Sequence, residues 1–363
     1  MKIYKRIAII HDVFTEDGGA ERVLRAIITL YPSADVYVPV LSQGARGVLE
    51  KLTTGMVYSA WFNALILYNP SSVLWKMLFY WYFEQLDLSR YDLVVSSSHM
   101  FSSKSIITSP NTTHISYIHT PPRYLYAEYN EVQVLKRPIF RLLLSPLLSW
   151  LRVLDYIGAQ RPDILISNSK TVQARIKKYY KRDSVVIYPP IKRLKATLRR
   201  SPQYFLCVSR LARQKGIDLA IRACNELGES LVIVGVGAED AYLRSIAGPT
   251  IKFMGHVTDQ DMPNVYRHAK ALIYPAKEED FGMVPVEAML QKVPVIGFAS
   301  GGVLETVKHE TMGILFSDWS KESIVDAIKK FKEKKYRFIF NTATLEKYTE
   351  PYFLQNFIKI AAS

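Results

Sequence analysis

A chain of 363 residues is longer than one hydrophobic core usually serves, so two domains of roughly 150 to 200 residues are expected. Apolar residues at 49% and charged residues at 22% exclude a disordered or fibrous chain. Lys and Arg number 47 against 33 Asp and Glu, and the net charge of +14 favours anionic partners: phosphates, nucleic acid or an anionic lipid surface.

In chain order, MKIYKRIAII turns polar at His11 and Asp12, too soon for a signal peptide, and reads as a first strand. The uncharged stretch Leu52 to Trp75 is interrupted by Asn69, Pro70, Ser71 and Ser72, which leaves about 13 apolar-rich residues where a bilayer span needs ~20. No transmembrane helix is expected. The runs DLVVS, HISYIH, DILIS and SVVIY follow, separated by helical patterns, and the alternation predicts a parallel sheet covered by helices. Pro189, Pro190 and the basic stretch IKRLKATLRRSP read as a linker. A second series then begins: YFLCVS, SLVIVG, IKFMGHV, ALIYPA, VPVIGF and GILF. SKESIVDAIKKFKEKK and PYFLQNFIKIAAS read as two closing helices. The domains are expected at 1–198 and 199–344, with a C-terminal helix at 345–363 crossing back to the first. Both are open α/β domains whose ligands belong beyond the carboxyl ends of the strands. The two cysteines, Cys207 and Cys224, lie in no CxxC or Cys/His cluster, which points to a reducing, cytoplasmic setting without disulfides or structural zinc.

Five segments carry candidate chemistry. In YPAKEEDFGMVPVEAML a strand ends at Pro275, a helix begins near Met283, and Glu279 and Glu287 flank its N-terminus. Free N–H groups there suit a phosphate, and each carboxylate can accept paired hydrogen bonds from a diol. Local pattern alone leaves open a helix merely capped by acid, with Glu287 solvated. In VSRLARQKG, Arg210 and Lys215 follow a strand and offer two cations to a diphosphate leaving group, in place of a divalent metal; two exposed loop cations are the plainer alternative. Gly18 and Gly19 separate the first strand from an amphipathic helix. His119 ends a buried-type strand in SYIHTPPRYLY and should point into a cleft, or else be a satisfied structural histidine. Gly301 and Gly302 precede a turn able to close over a donor. GVGAED lacks the third glycine of a dinucleotide fingerprint, so a nicotinamide site is not expected. Asp259 and Asp261 read as helix caps rather than metal ligands.

Taken together, GGAERV, the histidine of IHTPPRYLY, SRLARQKG and the E-x7-E stretch EDFGMVPVE resemble the family 4 glycosyltransferases, and they stand in the family's order. The resemblance implies the GT-B fold of two facing Rossmann-like domains with a deep interdomain cleft. It implies Glu279 and His119 near the transferred sugar, Glu287 on the ribose, and Arg210 and Lys215 on the diphosphate. Gly19, with Gly18 beside it, would sit near that diphosphate, and Phe281, Gly282, Met283 and Val284 would line it with backbone amides. No metal or other cofactor is expected. No nucleophile stands out, so retention by front-face attack is the simpler expectation. IHTPPRYLY looks most like mannosyltransferases that build surface polysaccharides, which implies GDP-mannose as donor and a glycan or polyprenyl-linked acceptor.

Aromatic and aliphatic residues mix with Lys76, Lys136, Arg137, Arg141 and Arg152 between Met56 and Phe83 and again in VLKRPIFRLLLSPLLSWLRVL. With Trp61, Trp75, Trp81 and Trp150 they suit either an interfacial helix pair on an anionic membrane, peripheral on its inner face, or buried helices with snorkelling cations. The rival readings are a GT-B sugar-nucleotide epimerase and a basic nucleic-acid-binding protein. The cations are spread along the chain without a nucleic-acid-binding motif, so no nucleic acid is expected as a partner.

Overall fold

The computed structural model describes residues 4–16, 18–68, 74–99, 102–126, 137–193, 202–277, 279–333 and 337–362. It divides into two compact units, residues 1–190 with 351–363, and residues 191–350. The division falls at Pro190 and Ile191 rather than at 198/199. Buried Ile191 forms a parallel bridge to Thr349, which draws the chain into the second unit at the first residue of the basic stretch.

The strands of the first unit are β1 (Ile7–His11), β2 (Val13–Phe14), β3 (Asp35–Tyr37), β4 (Val40–Leu41), β5 (Val57–Tyr58), β6 (Leu93–Ser98), β7 (Thr113–Ile118), β8 (Ile164–Ser167) and β9 (Val185–Val186). Seven of them form one sheet in the order β5-β3-β1-β6-β7-β8-β9, all pairs parallel, and β2 pairs with β4. β6 is buried along its whole length, as a parallel sheet covered on both faces requires. Helix Gly19–Leu30 turns Val23, Leu24, Ile27 and Ile28 onto this sheet. The last helix, Glu350–Ala362, sets Phe353, Phe357 and Ala361 at four-residue spacing into the same core, with the Phe353 ring 5.9 Å from that of Tyr117.

The second unit carries β10 (Tyr204–Val208), β11 (Leu231–Val234), β12 (Ile251–Gly255), β13 (Ala269–Tyr274), β14 (Val295–Phe298) and β15 (Gly313–Phe316). Their order is β12-β11-β10-β13-β14-β15, again parallel throughout. This is the doubly wound arrangement in which strand order reverses between the first and fourth strands, here β10 and β13. Helices Ile217–Leu227 and Lys321–Lys332 pack together on one face, filling a core that contains both cysteines. Cys207 and Cys224 are unpaired, and burial pushes the Cys224 thiol up to about 12.

Candidate active site

In the second unit, the loops after β10 and β13 meet where the strand order reverses. Arg210 stands exposed just past β10. A short turn of 3-10 helix, Arg213–Lys215, then leads through Gly216 into helix Ile217–Leu227. After β13, Lys277 N donates to Gln214 O at 3.1 Å, and Lys215 Nζ donates to Glu279 Oε2 at 2.6 Å. The Arg-x4-Lys loop and the E-x7-E stretch are therefore one assembly, tied by backbone and side chain.

The helix after Glu279 starts at Met283, with Gly282 at φ +82° as its N-cap and no side-chain cap. The N-cap is thus a glycine rather than an acid, and the Glu279 carboxylate is engaged by Lys215. Pro285 is the third residue of this helix, where its missing N–H takes nothing from the hydrogen-bond ladder. Phe281 is 2% exposed and packs on the Tyr348 ring, so its side chain anchors the loop while its backbone stays at the helix start. Glu287, one turn in, accepts from Tyr266 Oη at 3.3 Å.

Two contributors to this assembly escaped the sequence reading, Tyr266 on Glu287 and Tyr274 on Glu279. Tyr274, the last residue of β13, bonds Glu279 through its hydroxyl; burial, then Glu279 and Glu287, push its phenol well up and keep it neutral. Gly301 and Gly302 pack against the backbone of the loop that carries Glu279 and Phe281. Gly302 N donates to Glu279 O at 2.8 Å, and a Cβ on Gly301, at φ +54°, would stand 2.1 Å from that same oxygen. GVGAED has a comparable supporting part: Cβ atoms on Gly235 and Gly237 would strike the carbonyls of Ser209 and Leu211, on either side of Arg210. Asp261 occupies the N-cap position of helix Met262–Arg267 but makes no capping bond, since its carboxylate accepts from Thr258 Oγ1 at 2.7 Å instead. Among the described residues no group of His, Cys, Asp and Glu is arranged to hold a metal ion.

In the first unit, the carboxyl ends of β1, β6 and β7 gather a second polar cluster. Gly18 caps helix Gly19–Leu30, and a Cβ on it would stand 2.8 Å from Glu21 Oε2. Buried Asp12 accepts from the backbone N–H of His99 at 2.7 Å and of Ser103 at 2.9 Å, tying the end of β1 to the loop after β6. His11 stacks on His99 and lies 3.7 Å from Glu21. Burial alone would raise the Glu21 carboxyl, but the facing His11 and then His99 outweigh it and bring it down to about 2. His119 follows β7, only 8% exposed, with its Nε2 held 2.9 Å from Ser97 Oγ. Burial, then His99 and His11, hold its ring well below the usual histidine range, so it is a neutral, engaged imidazole rather than a freely projecting one.

Of the residues expected at a membrane, Trp61, Trp81 and Trp150 are exposed, as are Arg137 and Arg141, with Arg152 half-buried. Lys136 and the side chains of Trp75 and Lys76 lie outside the described residues. No helix among the described residues is long and apolar enough to cross a membrane.

Residues 17–193 match the model of Glycosyltransferase Family 4, and residues 190–347 match Glycosyl transferases group 1. An uncharacterized glycosyltransferase of Methanocaldococcus jannaschii is 33% identical over 157 residues, covering 36% of this chain and 40% of that protein. The GDP-mannose-dependent alpha-(1-6)-phosphatidylinositol monomannoside mannosyltransferase of Mycobacterium tuberculosis is 31% identical over 140 residues, 34% of this chain and 36% of that protein. The chain thus spans well under half the length of these curated relatives. Over whole chains, the crystal structure of Anabaena Alr3699/HepE with UDP and glucose superimposes with a TM-score of 0.72 at 19% identity, covering 99% of each. Sheets, strand orders and both family models agree that this chain belongs to the family 4 glycosyltransferases and has the GT-B fold, with two Rossmann-like domains.

Proposed function

We propose that the protein transfers a hexose, mannose from GDP-mannose in the first instance, from a nucleotide-sugar to a glycan or polyprenyl-linked acceptor, with retention of anomeric configuration. The observation that carries this reading is the Lys215–Glu279 ion pair, which ties the loop that carries Arg210 to the loop that leads into the helix of Glu287 where strand order reverses between β10 and β13. That is the place in an open α/β sheet where a nucleotide fits, and two helix N-termini, at Ile217 and Met283, add favourable dipoles for its phosphates. GDP-mannose is favoured because the mycobacterial relative is described as GDP-mannose-dependent.

Arg210 and Lys215 neutralise the diphosphate as it departs, doing without a metal ion. Glu287 accepts from the ribose hydroxyls and Glu279 from those of the sugar. The amides of Phe281, Gly282, Met283 and Val284 line the diphosphate, and Gly18 and Gly19 keep the donor-binding role that the family resemblance implies. His119, neutral and bound to Ser97 through Nε2, has Nδ1 for a sugar hydroxyl. In the reaction the acceptor oxygen bonds to the anomeric carbon on the face from which the diphosphate leaves. The bond from that carbon to the phosphate oxygen breaks, and the acceptor's proton passes to the departing phosphate.

The test is incubation with GDP-mannose, UDP-glucose and ADP-glucose plus simple glycosides, following the anomeric proton by NMR. An α-linked product from an α-linked donor, with no mass adduct on Glu279, is expected. An inverted product or a trapped glycosyl ester on Glu279 contradicts the mechanism, and no nucleoside diphosphate release from any donor contradicts the activity.

A further inference from the structure

Helix Ser145–Gln160 of the first unit is apolar on its outward face as well as on its buried one. Its buried face holds Leu148, Leu151, Asp155, Gly158 and Ala159. Its outward stripe, at positions 146, 149, 150, 153, 156, 157 and 160, contains Trp150, Val153, Tyr156 and Ile157 where a solvated helix carries charge. The preceding helix, Pro138–Leu143, buries no residue, and Ile139, Leu142 and Leu143 are 60%, 69% and 67% exposed. Patches of this kind mark interaction surfaces rather than scattered surface hydrophobes.

Charge selects the partner. Between Arg137 and Gln160 the sole carboxylate is Asp155, and it is fully buried, 2.6 Å from Lys104 Nζ and hydrogen-bonded by Tyr80 and Tyr126. The outward face thus presents arginines and no acid. Arg141 and Arg152 line a groove at the junction of the two helices with Pro138, Leu142, Ser145 and Leu148, so that cations and an apolar floor occur together. Arg152 is steadied there by donating from Nε to Leu125 O at 2.7 Å.

We propose that this helix pair docks on an anionic phospholipid bilayer. Ile139, Leu142, Leu143 and Trp150 enter the headgroup and upper acyl layer, and Arg141 and Arg152 receive a lipid phosphate. None of these residues is assigned a part in the transfer reaction, so the surface can be tested without reference to it.

The experiment is flotation of the full chain with phosphatidylcholine vesicles, with and without phosphatidylglycerol, at low and high salt. The comparison is the combined variant R141E, L142S and L143S, all three side chains being exposed, with thermal unfolding checked alongside. Wild type is expected to float with anionic vesicles only, to detach as salt rises, and to bind about tenfold more tightly than the variant. Equal flotation with phosphatidylcholine alone, no flotation at all, or binding indifferent to the variant overturns the proposal. So does a wild-type dimer that the variant dissociates, which would assign the surface to a second copy of the chain. GDP binding by the variant is expected to be unchanged, so a failed flotation and a failed donor assignment are read separately.

Discussion

Lys215 Nζ donates to Glu279 Oε2 across 2.6 Å, joining the loop after β10 to the loop after β13. The two side chains are assigned to different parts of a nucleotide-sugar, so each holds the other in place until diphosphate and sugar arrive. Lys215→Ala is expected to weaken GDP binding about 10- to 100-fold, the loss of one charge-assisted contact. Glu279→Gln frees the lysine and should leave GDP binding as tight or tighter, while kcat for transfer falls by about 100-fold. Calorimetry with GDP and steady-state rates with GDP-mannose separate the two; parallel losses in both variants would contradict separate tasks.

Glu287, assigned to the ribose, offers a finer contrast. Glu287→Gln should reduce GDP affinity about tenfold while leaving inorganic pyrophosphate affinity unchanged, since pyrophosphate has no ribose. Competition of both ligands against a fluorescent nucleotide measures this directly.

Support beneath the loop is tested at glycine. Gly301 and Gly228 both have left-handed backbones, at φ +54° and +64°, but only at Gly301 would a Cβ meet backbone, at 2.1 Å from Glu279 O, whereas nothing lies within 4 Å at Gly228. Gly228→Ala is expected to cost about 1 kcal/mol and Gly301→Ala about 3 kcal/mol, with nucleotide binding lost only in the latter. Equal melting temperatures for the two variants would remove the supporting role.

The first unit should weaken in acid. His114 is fully buried, its Nε2 2.9 Å from Ser96 Oγ, and burial with the nearby Arg182 and Arg161 lowers its ring from 6.5 to about 3. Below pH 6.5 the unfolded chain takes up a proton that the folded ring refuses, so stability falls as pH drops toward 3, by up to about 1.4 kcal/mol per pH unit for this one group. Glu21, held at about 2, adds to the loss below about pH 4.5, since its charged form is the one favoured in the fold. Urea unfolding at pH 7 and pH 5 should show a smaller difference in His114→Asn than in wild type. An unchanged difference would mean that His114 is not the group involved.

The strands with continuous apolar runs were legible because a buried parallel strand needs no alternation; β10 falls within the run picked out for it, while β1 and β6 begin within theirs and continue to His11 and Ser98, past the apolar residues. β3 and β5 were not, since three and two residues carry too little pattern to separate from a loop. The motifs around Arg210, Lys215, Glu279 and Glu287 were legible as spacing, whereas their coupling is a long-range fact: Lys215 and Glu279 are 64 positions apart. Tyr274 was passed over because an aromatic residue in a strand reads as core, and only its place at the carboxyl end of β13 marks it out. Gly301 and Gly302 were noticed without their contact with the Glu279 backbone, because a glycine pair signals close approach without saying to what.

The central claim is that Arg210 and Lys215 form a diphosphate site at the reversal of strand order in the second unit. Its most direct test is a thermal-shift series with GDP, UDP, ADP and their sugars on wild type and Arg210→Ala. The account predicts that one nucleotide class, GDP first, stabilises the wild type, and that the shift is largely lost in the variant while its own unfolding temperature is unchanged. Stabilisation by none of the nucleotides, or an equal shift in Arg210→Ala, would contradict it.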